Sequence, residues 1–275
     1  MRLAIVASFV FATVVAGCSD DPASGTLEVR VYGEAFIEDG IPADVFVDGW
    51  TVSFDKFLVS LGHVAAQAGH DHAELTDPSF KVFDLAVPSG GAGFLVATFD
   101  APGGTYDHFG YVIKPDAAAT AANADAADVT ALQAAGHSVR VVGTATRGAQ
   151  TVRFDWGFAL SITHSHCESA AKVDDNTAVT EATIHGDHLF YDDAVSAEPN
   201  VAFDLIAASD GADGTTADGL ITPAELAAKD LAAEARYQVG SLDIDDLWGF
   251  VSHQVGTLGH ANGEGHCEDV RVTGT

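Results

Sequence analysis

Residues Val152 to Cys167 run Val-Arg-Phe-Asp-Trp-Gly-Phe-Ala-Leu-Ser-Ile-Thr-His-Ser-His-Cys, and their alternation decides the fold class. Val152, Phe154, Trp156, Phe158, Leu160 and Ile162 are large and apolar, while the residues between them are small or polar. A period of two puts every second side chain on one face of an extended chain, so the stretch is expected to be a strand with one face in a core. Carried past Ile162, the same parity turns His164 and His166 inward, about 7 Å apart along the backbone, and turns Cys167 the other way. Two imidazoles at that spacing can converge on one metal ion.

The neighbouring segments repeat the strand pattern. Thr26 to Phe36, Lys81 to Val87, Phe94 to Phe99, Tyr106 to Lys114, Ser138 to Ala145 and Thr177 to Ile184 are short apolar runs separated by turns such as Ser89-Gly90-Gly91, Pro102-Gly103-Gly104 and Arg147-Gly148-Ala149. Trp50, Val52 and Phe54 alternate on even positions, whereas Phe57, Val59, Leu61 and His63 alternate on odd ones. The parity flip near Asp55-Lys56 predicts a bulge, after which His63 shares the apolar face as a hydrogen-bonded core histidine. Ala117 to Ala135 is alanine-rich and helix-favouring, with Val129 and Leu132 as its larger apolar residues, and is expected to pack over a sheet edge. Gly69-His70-Asp71-His72 reads as an exposed loop.

From Asn200 the pattern turns helical, over Val201 to Ala208, Pro223 to Glu234 and Asp243 to Gly259. In the last of these Leu247, Val251, Val255 and Leu258 share one quadrant at about 100° per residue, which leaves His253 and His260 on the opposite face, facing solvent unless that face meets the His185-Gly186-Asp187-His188 turn. The fold class expected is mainly β: an antiparallel β-sandwich, one domain over 26–275, with a helical C-terminal segment inserted at about 200–262.

Composition limits the partners. Forty acids against 12 basic residues give a formal net charge of −28, which argues against nucleic acid and anionic lipid surfaces as partners and favours cations. No protein partner can be named from it. At the N-terminus one positive charge and an apolar run from Leu3 to Val15 form a short signal h-region, followed by Val15-Ala16-Gly17-Cys18. These residues resemble a bacterial lipobox. The resemblance implies a signal peptide over 1–17, lipidation of Cys18, a tether over 18–25, and a membrane-anchored domain. Ser19 directly after the cysteine points to the outer membrane, on its periplasmic or cell-surface side.

Without Cys18 the chain keeps Cys167 and Cys267, and an even pair in an oxidising compartment is expected to form a disulfide, the alternative being two thiolate ligands. Either outcome draws His164, His166 and His266 together. A further His-Gly-Asp-His turn supplies His185, Asp187 and His188. The expected metal site therefore combines His164, His166, His185, His188 and His266, with Glu168, Asp187 and Glu264 as further ligands or ring-orienting carboxylates. Neutral imidazoles suit copper or zinc.

Asp218-Gly219-Leu220-Ile221-Thr222-Pro223-Ala224-Glu225 resembles the second half of an EF-hand calcium loop. The resemblance implies calcium held by Asp218, Leu220, Thr222 and Glu225, with Asp210 and Asp213 contributing across an insertion of about four residues. Taken whole, the chain resembles bacterial exported lipoproteins. A fainter similarity, carrying over no single residue, links it to the methanobactin-binding-partner (MbnP)-like periplasmic proteins, and it makes copper a candidate. Three functions stand at this point: a metal-binding lipoprotein, a metal-dependent periplasmic enzyme of redox or hydrolytic type, and a surface adhesion module stabilised by calcium and a disulfide.

Overall fold

The computed structural model describes residues 23–69 and 74–271. The signal peptide, Cys18 and most of the tether lie outside the described residues, as do His70 and His72. Thirteen strands follow in order: β1 (Ser24–Gly33), β2 (Thr51–Gln67), β3 (Leu75–Asp84), β4 (Phe94–Pro102), β5 (Gly104–Ile113), β6 (Thr120–Ala121), β7 (Val139–Arg147), β8 (Gln150–Phe158), β9 (Ile162–Val173), β10 (Thr177–Ile184), β11 (Leu220–Ile221), β12 (Gly259–Ala261) and β13 (Glu268–Arg271). The helices are α1 (Ala35–Glu38), α2 (Ala126–Ala135), α3 (Asp204–Ala207), α4 (Pro223–Ala227) and α5 (Leu247–Val255). The chain is mainly β, as its alternation predicts.

Two sheets share one apolar core. The smaller has the order β12-β10-β1-β4, with β1 parallel to β10, so the pairing is not purely antiparallel. The larger follows the path β11-β8-β7-β2-β5-β9-β13, with β3 and β6 attached through β2. The long strand β2 is its spine. β7 and β5 lie end to end along one edge of β2 and meet at Ser60, whose N–H donates to the Ser138 carbonyl and whose own carbonyl accepts from the Lys114 N–H. β8 and β9 repeat that arrangement one strand further out.

The expected single strand from Val152 to His166 is thus two strands in line, broken at residues 159–161. Ser138 makes the break: its N–H donates to the Phe158 carbonyl, and its hydroxyl contacts the Phe158 and Leu160 carbonyls. The alternation survives up to the break, and Phe154, Trp156 and Phe158 are all buried.

The predicted bulge at Asp55 is present, with the β2–β7 register shifting between Phe54 and Lys56. Further register shifts were not foreseen, and two of them carry a left-handed histidine. In the β2–β5 pair, Gly62 to Ala65 opposes only Val112 to Gly110. In the β5–β9 pair, His164 to Cys167 opposes only Tyr111 to Phe109. The extra residue in each case adopts a left-handed backbone, His63 at φ 48° and His166 at φ 49°.

The helical expectations hold in place but not in length. α2 sits on the outer face of the large sheet, where Val129 and Leu132 pack with Leu58, Phe80 and Val82. α3 and α4 are single turns. The chain leaves the helix after α4 because Asp230 caps the Ala232 N–H, and Leu231 and Leu247 pair with Asp245 and Lys229 across the intervening turn. α5, capped by Asp246 at the Gly249 N–H, buries Leu247, Phe250, Val251 and Val255 and ends before Gly256, so His260 belongs to β12 rather than to a helix.

Candidate metal centre

β10 runs out of the small sheet at Ile184, and the next residues turn straight into a short 3-10 helix, Asp187–Phe190. That turn buries His185 and His188 side by side. β12 lies antiparallel to β10, with Thr183 opposite His260, which brings a third imidazole to the same place. The ring centres of His185, His188 and His260 are 5.1 Å (185 to 188), 4.4 Å (185 to 260) and 5.2 Å (188 to 260) apart.

An imidazole bound through nitrogen at about 2.0–2.1 Å places its ring centre about 3.2 Å from the ion, so two rings at a tetrahedral angle lie about 5.2 Å apart. The three ring separations are of that size, while the ligand atoms divide into two groups that share His185. Candidate ligand atoms of His185 and His188 lie within 4.8 Å of each other and of Asp187, and those of His185 and His260 lie equally close to Glu264. His185 is common to both groups.

Hydrogen bonds fix two of the rings. His185 Nε2 is 3.4 Å from the Gly263 carbonyl oxygen, and its Nδ1 faces Glu34 Oε2 at 3.2 Å. His188 Nδ1 is 3.0 Å from the Thr257 hydroxyl, which itself donates to the Gln254 carbonyl at 2.9 Å. With its hydrogen committed, Thr257 can only accept, so His188 carries its proton on Nδ1 and presents the lone pair of Nε2. His260 Nδ1 is buried and has no hydrogen-bond partner among the described residues.

Burial, reinforced by the other histidines, pushes His188 and His260 down to about 4. Both rings are therefore neutral at neutral pH, the form that binds a metal. Burial raises Glu34, opposed by the adjacent His185. Tyr191, whose hydroxyl donates to Asp187, is raised by burial and by that carboxylate. A cavity of about 400 Å3 opens onto His188, His260, Glu264 and His266.

The expected ligand set is therefore only partly assembled. His185 and His188 meet as predicted. His266 is exposed at the mouth of the cavity. His164 and His166 do not share a face, because the bulge falls between His164 and Cys167. The His164 side chain is fully buried and that of His166 is 62% exposed. The same bulge turns Cys167 inward, where it forms the predicted disulfide with Cys267.

His164 is held elsewhere, with Nδ1 2.6 Å from Asp269 Oδ1 and its ring stacked on Tyr111 at 4.5 Å. Cys267 and Asp269 lie close enough to complete a ligand group with it. The sulfur is spent in the disulfide and the carboxylate on Nδ1, so that group is not a ligand set.

The residue the sequence analysis missed is His260. Gly256 and Gly259, both inside the expected helix, were the signal that the helix stops early.

The EF-hand-like loop is closed on itself. Asp210 accepts from the Asp218 and Gly219 N–H groups, Asp213 from Thr215, and Asp218 from Leu220. Thr222 and Glu225 form a capping box, and the second Glu225 oxygen accepts from the Gly211 N–H. The flanking helices are one turn each, so a full helix-loop-helix is not formed.

No protein-family model, curated protein or solved structure matches the chain.

Proposed function

We propose that this chain is an exported, lipid-anchored protein that binds one copper or zinc ion through His185, His188 and His260, with Glu264 as a fourth ligand. The observation that carries the reading is the cluster of three imidazoles, two buried and His260 half-buried, with ring centres 4.4–5.2 Å apart. Glu34 and Thr257 supply the outer hydrogen bonds that orient metal-bound histidines. The export and anchoring part rests on the lipobox-like Val15-Ala16-Gly17-Cys18, which places the domain in the oxidising compartment where the disulfide persists.

A second reading, a metal-dependent enzyme, is favoured by one feature. The cavity beside His188 and His260 gives a small molecule access to the ion, as a catalytic centre with an exchangeable position requires.

Metal analysis of protein purified untagged from a periplasm under non-reducing conditions tests the proposal. About one tightly held equivalent is expected, lost in His185→Ala/His260→Ala with the circular dichroism spectrum unchanged. Full retention of the metal in that variant overturns the ligand assignment. A metal that exchanges with added small anions, seen by a change in its spectrum, favours the enzyme.

A further inference from the structure

The two bulges that carry a left-handed histidine lie on either side of one strand. β2 carries its extra residue opposite Gly110 to Val112 of β5, and β9 carries its extra residue opposite Phe109 to Tyr111. They flank the same short segment of β5 from its two edges. Both extra residues are histidines, and both adopt the left-handed backbone that glycine takes most readily at such a bulge. Among the described residues the other two left-handed ones that are not glycine are Asp175 and Asn262, types that tolerate the conformation well. Strain of this kind persists where the surrounding structure enforces it and gathers at functional positions.

The bulges serve one cavity. A pocket of about 210 Å3 on the outer face of the large sheet is lined by His63, His108, His166 and Glu74, and Gly110 forms part of its wall. A Cβ on Gly110 would come within 2.9 Å of the His164 carbonyl oxygen, so the middle strand carries no side chain there. The register places His166 beside Gly110, close to His108, and His63 level with Tyr111 and Val112 at the other end of the pocket.

The rings are prepared as in the buried trio. His108 Nδ1 is 3.5 Å from Asp107 Oδ1, and His166 Nδ1 is 3.1 Å from Glu268 Oε2. Glu268 faces His166 Nδ1 and leaves its Nε2 for a ligand, while the Asp107 oxygen beside His108 accepts from the Gly69 N–H. The ring centres of His108 and His166 are 5.9 Å apart, inside the limit of about 6.4 Å for two imidazoles on opposite sides of one ion.

We propose that the outer face of the large sheet carries a second, solvent-facing transition-metal site, in which His108 and His166 take a divalent ion of the copper or zinc class, with His63 and Glu74 at the rim of the same pocket. The site is separate from the buried trio. Its exposed ligands make it weaker and faster to exchange, suited to capturing an ion from solution.

Copper(II) titration of the full mature chain, followed by calorimetry and electron paramagnetic resonance, tests the proposal. Two equivalents are expected in the wild type. His63→Asn/His166→Asn keeps residues that accept the left-handed backbone, and should lose the weaker equivalent with the melting temperature unchanged. His185→Ala/His260→Ala should lose the tighter one and keep the weaker. A single equivalent in the wild type, or a weaker equivalent untouched by His63→Asn/His166→Asn, overturns the proposal. So does its removal by His70→Ala/His72→Ala alone.

Discussion

The two histidine clusters solve the same problem by opposite means. His185, His188 and His260 are held by burial and by partners from three separate segments: Glu34 after β1, Thr257 after α5, and β12 against β10. Their geometry is inherited from the core. His63 and His166 are exposed and His108 is half-buried, and His63 and His166 sit at bulges of the large sheet. Their geometry is inherited from backbone conformation. Buried ligands give tightness and a fixed coordination number, whereas exposed ones give access and exchange.

The largest expected effect falls on the link between the two clusters. The Cys167–Cys267 bond ties β9 to the loop that follows His260 and closes 100 residues of sequence. Cys167→Ala/Cys267→Ala should cost about 3–5 kcal/mol in urea unfolding, since a cross-link over so long a loop restricts the unfolded chain most. The buried trio should also bind more weakly, because Glu264 and His266 sit in the freed loop, while the outer face keeps its pairing with β5. Equal losses at both sites would show that β9 itself depends on the bond.

A smaller and more local perturbation is Gly259→Ala. A Cβ there would lie 2.5 Å from the His164 ring and 2.6 Å from the Tyr111 hydroxyl, both in the core. Overpacking of this kind costs about 1–3 kcal/mol. His260 is the next residue, so metal affinity at the buried trio should fall with the melting temperature. Titration of the outer face should be unchanged.

The buried trio also has a pH signature. His188 and His260 stay neutral in the folded protein down to about 4, whereas an unfolded histidine titrates near about 6.5. Between those values the unfolded chain binds more protons, so the stability of the metal-free protein should fall as pH drops from about 6.5 towards 4 and then level off with respect to these two groups. The same depression means protons compete poorly with metal. In His63→Asn/His166→Asn, where the buried trio alone should bind, metal should be retained at pH 5 and released on approach to 4, measured by dialysis. Release already near 6.5 would mean the rings are not desolvated.

What the sequence made legible follows from the same contrast. The alternation from Val152 to Phe158, the parity flip at Asp55, the helix over the sheet and the cysteine pair all depend on local period or on simple counting, and each appears in the structure. The buried trio was two-thirds legible, since His185 and His188 share one turn. His260 arrives by the pairing of β12 with β10, a contact between residues some 75 apart that no period encodes. The outer cluster was hidden for another reason. His63 and His166 both sit on apolar-parity positions, and each is turned outward by a one-residue bulge that hydrophobic pattern does not mark because the residue is neither glycine nor strongly polar.

That difference predicts a small but opposite response to simplification. A left-handed residue with a Cβ costs about 1–2 kcal/mol relative to glycine, offset by about 0.5–1 kcal/mol for the greater freedom glycine has in the unfolded chain. His166→Gly should therefore stabilise the protein slightly, by less than about 1 kcal/mol, while removing the weaker copper(II) equivalent. His185→Gly should do the reverse on stability, since it empties a buried position and leaves Glu34 without its partner. Unfolding curves for the two variants, run side by side without metal, make the comparison directly. If His166→Gly instead destabilises the fold by as much as His185→Gly does, then His166 is held by contacts of its own side chain, and the outer cluster is a structural feature of the sheet rather than a place where stability has been exchanged for a ligand.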